Sequence, residues 1–300
     1  MASTTATFLL IAVGALVRAT GSGDACPDWP RCHGRWIPPL EYHDLIEYSH
    51  RLSAFVVIVL VTALAVVARV RYRAVPGVVV PSTLALGLVL FQALLGAVVV
   101  WSGLEALNVT AHLATALILA GSLVVATVAA FSVDARSGGG PGPLVVPARV
   151  AAAATFALSI VGALVRAEGA GRVFDDWPLM DGSVVPDISS VAAAVHVAHR
   201  VAAALVTVLV VWFAVRAWRH RRRYRVAAAL AQAAVGLFLV QVMVGAANVW
   251  TGLAAPAVVA HVALASLAWG ALVAAAASAG IQHVAGPASV GARARSGVAT

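Results

Sequence analysis

Five of the nine histidines in this 300-residue chain stand in or at the ends of apolar stretches: His50, His112, His196, His199 and His261. Imidazole is a common ligand for iron, copper and zinc. Four of the five form two pairs at one spacing, because His50 recurs as His199 and His112 as His261, each 149 residues later. Two imidazoles per half, at similar depth near the outer face on parallel helices, suit ligation of a haem iron from both sides within a four-helix bundle. Zinc is a poor match, since each half offers two histidines and no third ligand. One such histidine alone would read as a hydrogen-bonded core residue. The repeated pair favours ligands.

The two halves differ beside the first histidine of each pair. Glu47 lies three residues before His50, so both project from one helix face; the matching residue in the second half is His196. A glutamate near the iron can accept a proton or stabilise a developing cation. The competing reading is an interfacial, water-exposed glutamate. The asymmetry points to one catalytic site and one cofactor site. Arg18, Arg51, Arg166 and Arg200 stand at the outer ends of spans, where an unpaired charge is expensive. Haem propionates would pair with them through charge-assisted hydrogen bonds, or they would snorkel to lipid phosphate. Cys26 and Cys32 lie in the outer-loop segment Cys-Pro-Asp-Trp-Pro-Arg-Cys, whereas Asp175-Asp-Trp-Pro-Leu-Met180 in the second half has neither. An oxidising location allows a disulfide, as a loop staple or in redox or haem handling. No second ligand pair stands beside the cysteines to make a zinc site.

The elements that must position these residues are membrane-spanning. The chain is 62% hydrophobic and 11% charged, against about 45–50% and about 25% in soluble domains. That excludes a soluble enzyme, a disordered chain and a disulfide scaffold. Apolar runs of about 20 residues favour helices over barrel strands. Eight spans are expected, near 4–20, 47–68, 78–101, 109–131, 149–167, 192–215, 226–249 and 256–280. The first lacks a basic leading region and carries Arg18, as expected of a retained span rather than a cleaved signal peptide. All 20 basic residues are arginine and the net charge is +8. Of these, 13 fall on one side, in the loops after spans two, four and six and in the tail, while 11 of the 12 acidic residues fall on the other. The basic balance therefore reads as topology, with both termini cytoplasmic, and no nucleic-acid partner is expected.

The halves repeat one another. Gly14-Ala-Leu-Val-Arg18 recurs as Gly162-Ala-Leu-Val-Arg166, and Trp29-Pro30 as Trp177-Pro178, both offset by 148; Gln92, Gly96, Trp101 and Gly103 recur as Gln241, Gly245, Trp250 and Gly252, offset by 149. Four spans is an even number, so the halves run the same way and should be related by an axis along the membrane normal. The expected fold is all-α integral membrane: eight transmembrane helices as two pseudo-symmetric four-helix bundles. Residues 1–134 form the first half and 149–283 the second. A cytoplasmic Gly/Pro-rich linker, 135–148, joins them, and 284–300 is a cytoplasmic tail.

Gly14-Ala-Leu-Val-Arg-Ala-Thr-Gly-Ser-Gly23, Cys26 with Trp29-Pro30 and Cys32, and Glu47-Tyr-Ser-His50-Arg51 together resemble the haem A synthase family. The repeated His-Arg and the later single histidines resemble its second half, and the likeness covers about residues 8–283. The resemblance implies conversion of haem O to haem A, by successive hydroxylation of the C8 methyl group and loss of water to give a formyl group, for terminal oxidase biogenesis. It implies His50 and His112 as ligands of the substrate haem O, and His199 and His261 as ligands of a haem B cofactor that relays electrons. It implies Glu47 as the essential glutamate, near the methyl group, assisting proton removal or stabilising a carbocation-like intermediate. Cys26 and Cys32 match the family's outer-loop pair. A multi-pass plasma-membrane location follows, with the haem O-producing farnesyltransferase and cytochrome oxidase assembly factors as candidate partners.

Two rivals share some of these residues. A non-catalytic di-haem b cytochrome taking electrons from quinol would use the same four histidines. Glu47 and the cysteine pair, each confined to one half, favour the enzyme. A parallel-repeat transporter would show broken spans and polar groups at mid-membrane, and here the polar groups cluster at the outer ends.

Overall fold

The computed structural model describes residues 1–132 and 142–282. Residues 133–141 and 283–300 hold Asp134, Arg136, His283, Arg293, Arg295, the first half of the expected linker and the 284–300 tail, and lie outside the described residues. Eight long helices are present among the described residues: α1 Ala2–Ala19, α2 Tyr42–Arg71, α3 Pro76–Trp101, α4 Ala106–Ala130, α5 Val145–Ala167, α6 Val191–Arg219, α7 Arg225–Trp250 and α8 Ala255–Gln282. Each is long and apolar enough to cross a membrane. The protein is an all-helical, multi-pass membrane protein.

Helix number and order match the sequence expectation, but several ends do not. Helix α2 begins at Tyr42 rather than near 47, and α6 runs on to Arg219 rather than stopping near 215. A hydropathy reading stops at the first polar turn, while the backbone hydrogen-bond ladder does not. Helix α5 begins at Val145, so the last four residues of the expected 135–148 linker are helical. Pro147 falls in that first turn, where a missing N–H breaks no intrahelical bond.

Helix α7 is α3 displaced by 149 residues at both ends, whereas the other three corresponding pairs differ in length. The most extensive packing is α3 on α4 and α7 on α8. The halves meet through α4 on α8, α1 on α8 and α4 on α5. Helix association in lipid relies on close packing rather than on water exclusion, so small residues dominate the contacts. The second-half core shows this in Ala148, Ala151, Ala227, Ala231, Ala234, Ala268 and Ala275, all fully buried. The first-half core is built instead from Val57, Val61, Val89, Leu119 and Leu123 around Ala85.

The seam between halves has its own cluster, in which Trp269 joins Ile11, Leu117 and Ala120. A Cβ at Gly121 would sit 2.5 Å from the Trp269 ring, and one at Gly270 would sit 2.6 Å from Phe8. Both positions therefore admit no side chain. The residue matching Trp269 in the first half is Ala120, so the seam is one place where the repeat is broken.

Candidate active site

The four paired histidines occupy equivalent seats. His50 and His199 are the ninth residues of α2 and α6, and His112 and His261 the seventh of α4 and α8. The latter two lie in the second turn as expected. The former two lie in the third, because α2 and α6 start before their apolar runs. Each imidazole rests on a glycine of the preceding helix. A Cβ at Gly14 would be 3.1 Å from His50 Cε1, and one at Gly162 would be 3.1 Å from His199 Cε1. For Gly96 and His112, and for Gly245 and His261, the distance is 3.3 Å. These glycines let the two backbones close on the ring and limit its orientation.

Among the described residues, none partners one ring nitrogen of each of the four imidazoles. Nδ1 of His50, His112, His199 and His261 is buried and has no hydrogen-bond partner. A buried polar atom left unmade costs about 1–3 kcal/mol, and four at equivalent positions mark seats for a ligand. His50 lies within electrostatic reach of His112, and His199 of His261. Two imidazoles per half within electrostatic reach of each other, each able to offer a ring nitrogen, fit a haem iron. Behind them, Gln92 Nε2 donates to the His112 carbonyl at 2.8 Å and Gln241 Nε2 to the His261 carbonyl at 2.9 Å. Gln92 Oε1 accepts from Thr115. The residue matching Thr115 is Leu264, and Gln241 Oε1 is buried without a partner.

One helical turn from His50, Glu47 is buried, and both of its oxygens are engaged. Oε2 accepts from the Cys26 backbone N–H at 2.7 Å, and Oε1 accepts from the Arg51 guanidinium. Arg51 also donates to the carbonyls of Cys26 at 2.8 Å, Asp28 at 2.6 Å and Arg31. Arg51 is thus the pin that holds the first loop against α2. In the second half Arg200 repeats the role, donating to the carbonyls of Asp176 at 3.1 Å and Leu179 at 2.8 Å. Its Nε donates to His196 Nε2 at 3.0 Å, where the first half has the carboxylate.

The two loops share a scaffold. Trp29 stacks edge-on against Trp101, and Trp177 against Trp250. The Asp28 carboxylate accepts from the Gly34 N–H at 2.9 Å, and the Asp176 carboxylate from the N–H groups of Asp181 and Gly182, both at 2.8 Å. Desolvation is the largest single influence on Asp28 and opposes its ionisation, but the N–H groups of Gly34, Asp28 and His33 and the charge of Arg51 together outweigh it and hold the carboxyl below its ordinary range. The Gly182 N–H does the same for Asp176.

Cys26 and Cys32 form a disulfide, and both are fully buried. Chain folding brings Asp44 to within 4.8 Å of both sulfurs, and His33 Nε2 lies 3.3 Å from Asp44 Oδ1. Sequence spacing placed no further ligand types near the cysteines. The fold supplies two, from the start of α2 and the loop tip, although the bonded sulfurs offer no thiolate. The four arginines divide into two kinds. Arg51 and Arg200 are anchored to loop carbonyls. Arg18 and Arg166 each keep a buried Nε without a partner.

Paired buried imidazoles in an eight-helix membrane bundle, with one carboxylate beside a single pair, define the class: a multi-span membrane protein with two repeated histidine pairs, one of them beside a buried carboxylate. Residues 1–45 and 40–273 match the family model for cytochrome oxidase assembly protein, COX15-CtaA. The chain belongs to that family. It is 31% identical over 244 residues to a heme A synthase of Staphylococcus saprophyticus, covering 79% of this chain and 80% of the relative. It is 32% identical over 252 residues to the heme A synthase of Shouchella clausii, covering 81% and 83%. With that of Symbiobacterium thermophilum it shares 31% over 261 residues, covering 82% and 83%.

Proposed function

We propose that this chain is a haem A synthase, an enzyme that oxidises the C8 methyl group of haem O to the formyl group of haem A. The observation that carries the reading is the set of four buried imidazoles, each seated on a glycine and with one ring nitrogen unpartnered among the described residues, with Glu47 beside one pair only. Family membership and the relatives' names support it over a non-catalytic cytochrome.

His50 and His112 are assigned to the substrate haem O, and His199 and His261 to a haem B cofactor. With haem B held by its two imidazoles, the second half supplies one-electron transfer. Glu47 acts on the methyl group undergoing oxidation. As an ionised carboxylate in a low-dielectric site it accepts a proton or stabilises positive charge developing at that carbon. Its oxygens are held by Arg51 and the Cys26 N–H, so one of these bonds opens, or carries the charge change, when Glu47 acts. Arg51 fixes the carboxylate in place, and the disulfide fixes the Cys26 peptide unit that contacts both Glu47 and Arg51. This makes residues 1–134 the catalytic half and 149–283 the cofactor half, related by an axis along the membrane normal. The arginine distribution supports an orientation with the disulfide end of the bundle outside and both termini in the cytoplasm of a plasma-membrane protein. Haem O is apolar enough to pass within the bilayer, which supports the haem O-producing farnesyltransferase and oxidase assembly factors as partners.

The test is production of the chain in cells that make haem O but have no synthase of their own, followed by extraction and separation of haems. Haem A is the expected new pigment. Haem B alone on the protein, with haem O abundant in the membrane, contradicts the reading.

A further inference from the structure

Arg18 and Arg166 end α1 and α5, four residues after Gly14 and Gly162, the glycines on which His50 and His199 rest. On a helix, residues four apart share a face. Each arginine therefore stands one turn beyond an imidazole seat, toward the disulfide end. The two also meet each other. Arg166 Nη2 donates to the Arg18 backbone carbonyl at 3.4 Å, and Arg166 lies within electrostatic reach of Arg18 and of Arg172. Among the described residues no carboxylate pairs with either arginine, since the ion pairs found are Glu47 with Arg51 and Asp44 with His33. Both Nε atoms are buried and unpartnered. Two cations from opposite halves, held together with donors unmet and no anion beside them, form a seat for an anionic oxygen ligand. A carboxylate and a lipid phosphate both have that chemistry. The position one turn beyond the imidazoles favours carboxylates carried by whatever the imidazoles hold.

We propose that Arg18 and Arg166 form one carboxylate seat shared by the two halves, which takes haem propionates from both sites. The inference rests on the haem assignment above and adds a cross-half dependence to it: each arginine supports the haem of the other half as well as its own.

The test uses full-length protein carrying His50→Ala and His112→Ala, so that only the second-half ligands remain, purified in lipid nanodiscs and stripped of haem. It is titrated by absorbance with iron protoporphyrin IX and separately with its dimethyl ester, which lacks free carboxylates. Adding Arg18→Gln, a change in the other half, is expected to weaken binding of the acid by roughly three- to tenfold, a usual size for coupling between sites, and to leave the ester unchanged. The mirror test, Arg166→Gln in a His199→Ala/His261→Ala background, is expected to behave alike. Unchanged acid binding would overturn the proposal and leave each arginine to its own half. Equal weakening of acid and ester would also overturn it, as a structural effect. So would acid and ester binding alike while the seat is filled by lipid phosphate. If the parent protein binds neither porphyrin, the haem assignment itself fails, and it fails before either arginine is changed.

Discussion

The two outer loops are the same device with different contents. Arg51 and Arg200 reach up from equivalent turns of α2 and α6 to hold equivalent carbonyls, Asp28 and Asp176, Arg31 and Leu179. Each loop carries a tryptophan edge-on against the end of α3 or α7, and an aspartate that caps a tight turn. What the first half adds is Glu47, with its two oxygens tied to Arg51 and Cys26, and the disulfide behind it. The second half has His196 at that place and no sulfur bridge. The scaffold explains how a haem-sized ligand could be seated twice. The added carboxylate explains why one seat would react and the other would not.

The largest effect is expected from erasing that difference. Glu47→Gln keeps the shape and loses the charge, and haem A formation should fall by at least about 100-fold, with the haem content of the purified protein retained. Quantitative haem extraction beside a turnover assay checks this. Full haem A production would remove Glu47 from the chemistry. Glu47→His, which copies the second half, should be equally inactive.

Removing the staple should cost less. Cys26→Ser/Cys32→Ser frees a short loop, and a disulfide closing one is worth about 2 kcal/mol. A lower unfolding temperature is expected, with turnover reduced more than haem binding, because the Cys26 N–H would no longer hold Glu47 in one place. The matching loop of the second half has no bridge to lose; there Met180, buried with Phe174 and Ala193, stands in the place of Cys32, and Met180→Ser should lower the unfolding temperature through lost packing without loosening Glu47.

Smaller and local effects are expected at the glycine seats. Gly14→Ala puts a methyl group 3.1 Å from the His50 ring and Gly162→Ala does the same to His199. Each should shift the absorbance of the haem in its own half by tilting one imidazole, and leave the other half's spectrum unchanged. Shifts in both halves from either variant would show that the seats are not independent.

The smallest effect concerns acid. Asp28 and Asp176 have depressed carboxyl pKa values, so the loop stability they contribute is present above the ordinary aspartate range near 3.9 and is lost as pH falls through their lower folded values. Both residues are only half-buried in their loops, so the change should be slight and confined to the loops. Amide protection at Gly34 and Gly182, taken relative to the intrinsic exchange rate at each pH, should fall together in strong acid and be retained at neutral pH.

Much of this organisation is legible in the sequence, because lipid imposes a simple grammar. Apolar length gives the spans, and the 149-residue offset pairs the histidines. Gly14, Gly96, Gln92 and their counterparts also stand in the repeat, but a repeat says that a residue matters and not what it touches. That each glycine faces an imidazole appears only when α1 packs on α2 and α3 on α4. The arginine clamp was hidden for the same reason. Its partners are backbone carbonyls, which carry no residue identity. Asp44 and His33 reach the disulfide through the loop's path, and Trp269 has no counterpart to announce it. Helix ends were missed where polar turns continue the ladder past the apolar run.

One measurement separates the two halves most directly: the pigments held by His50→Ala/His112→Ala and by His199→Ala/His261→Ala, purified from cells that make haem O. The first variant should keep haem B and lose haem O and haem A. The second should lose haem B and still hold haem O. Loss of the same pigment from both, or of neither, would contradict a division of the molecule into a reacting half and a cofactor half.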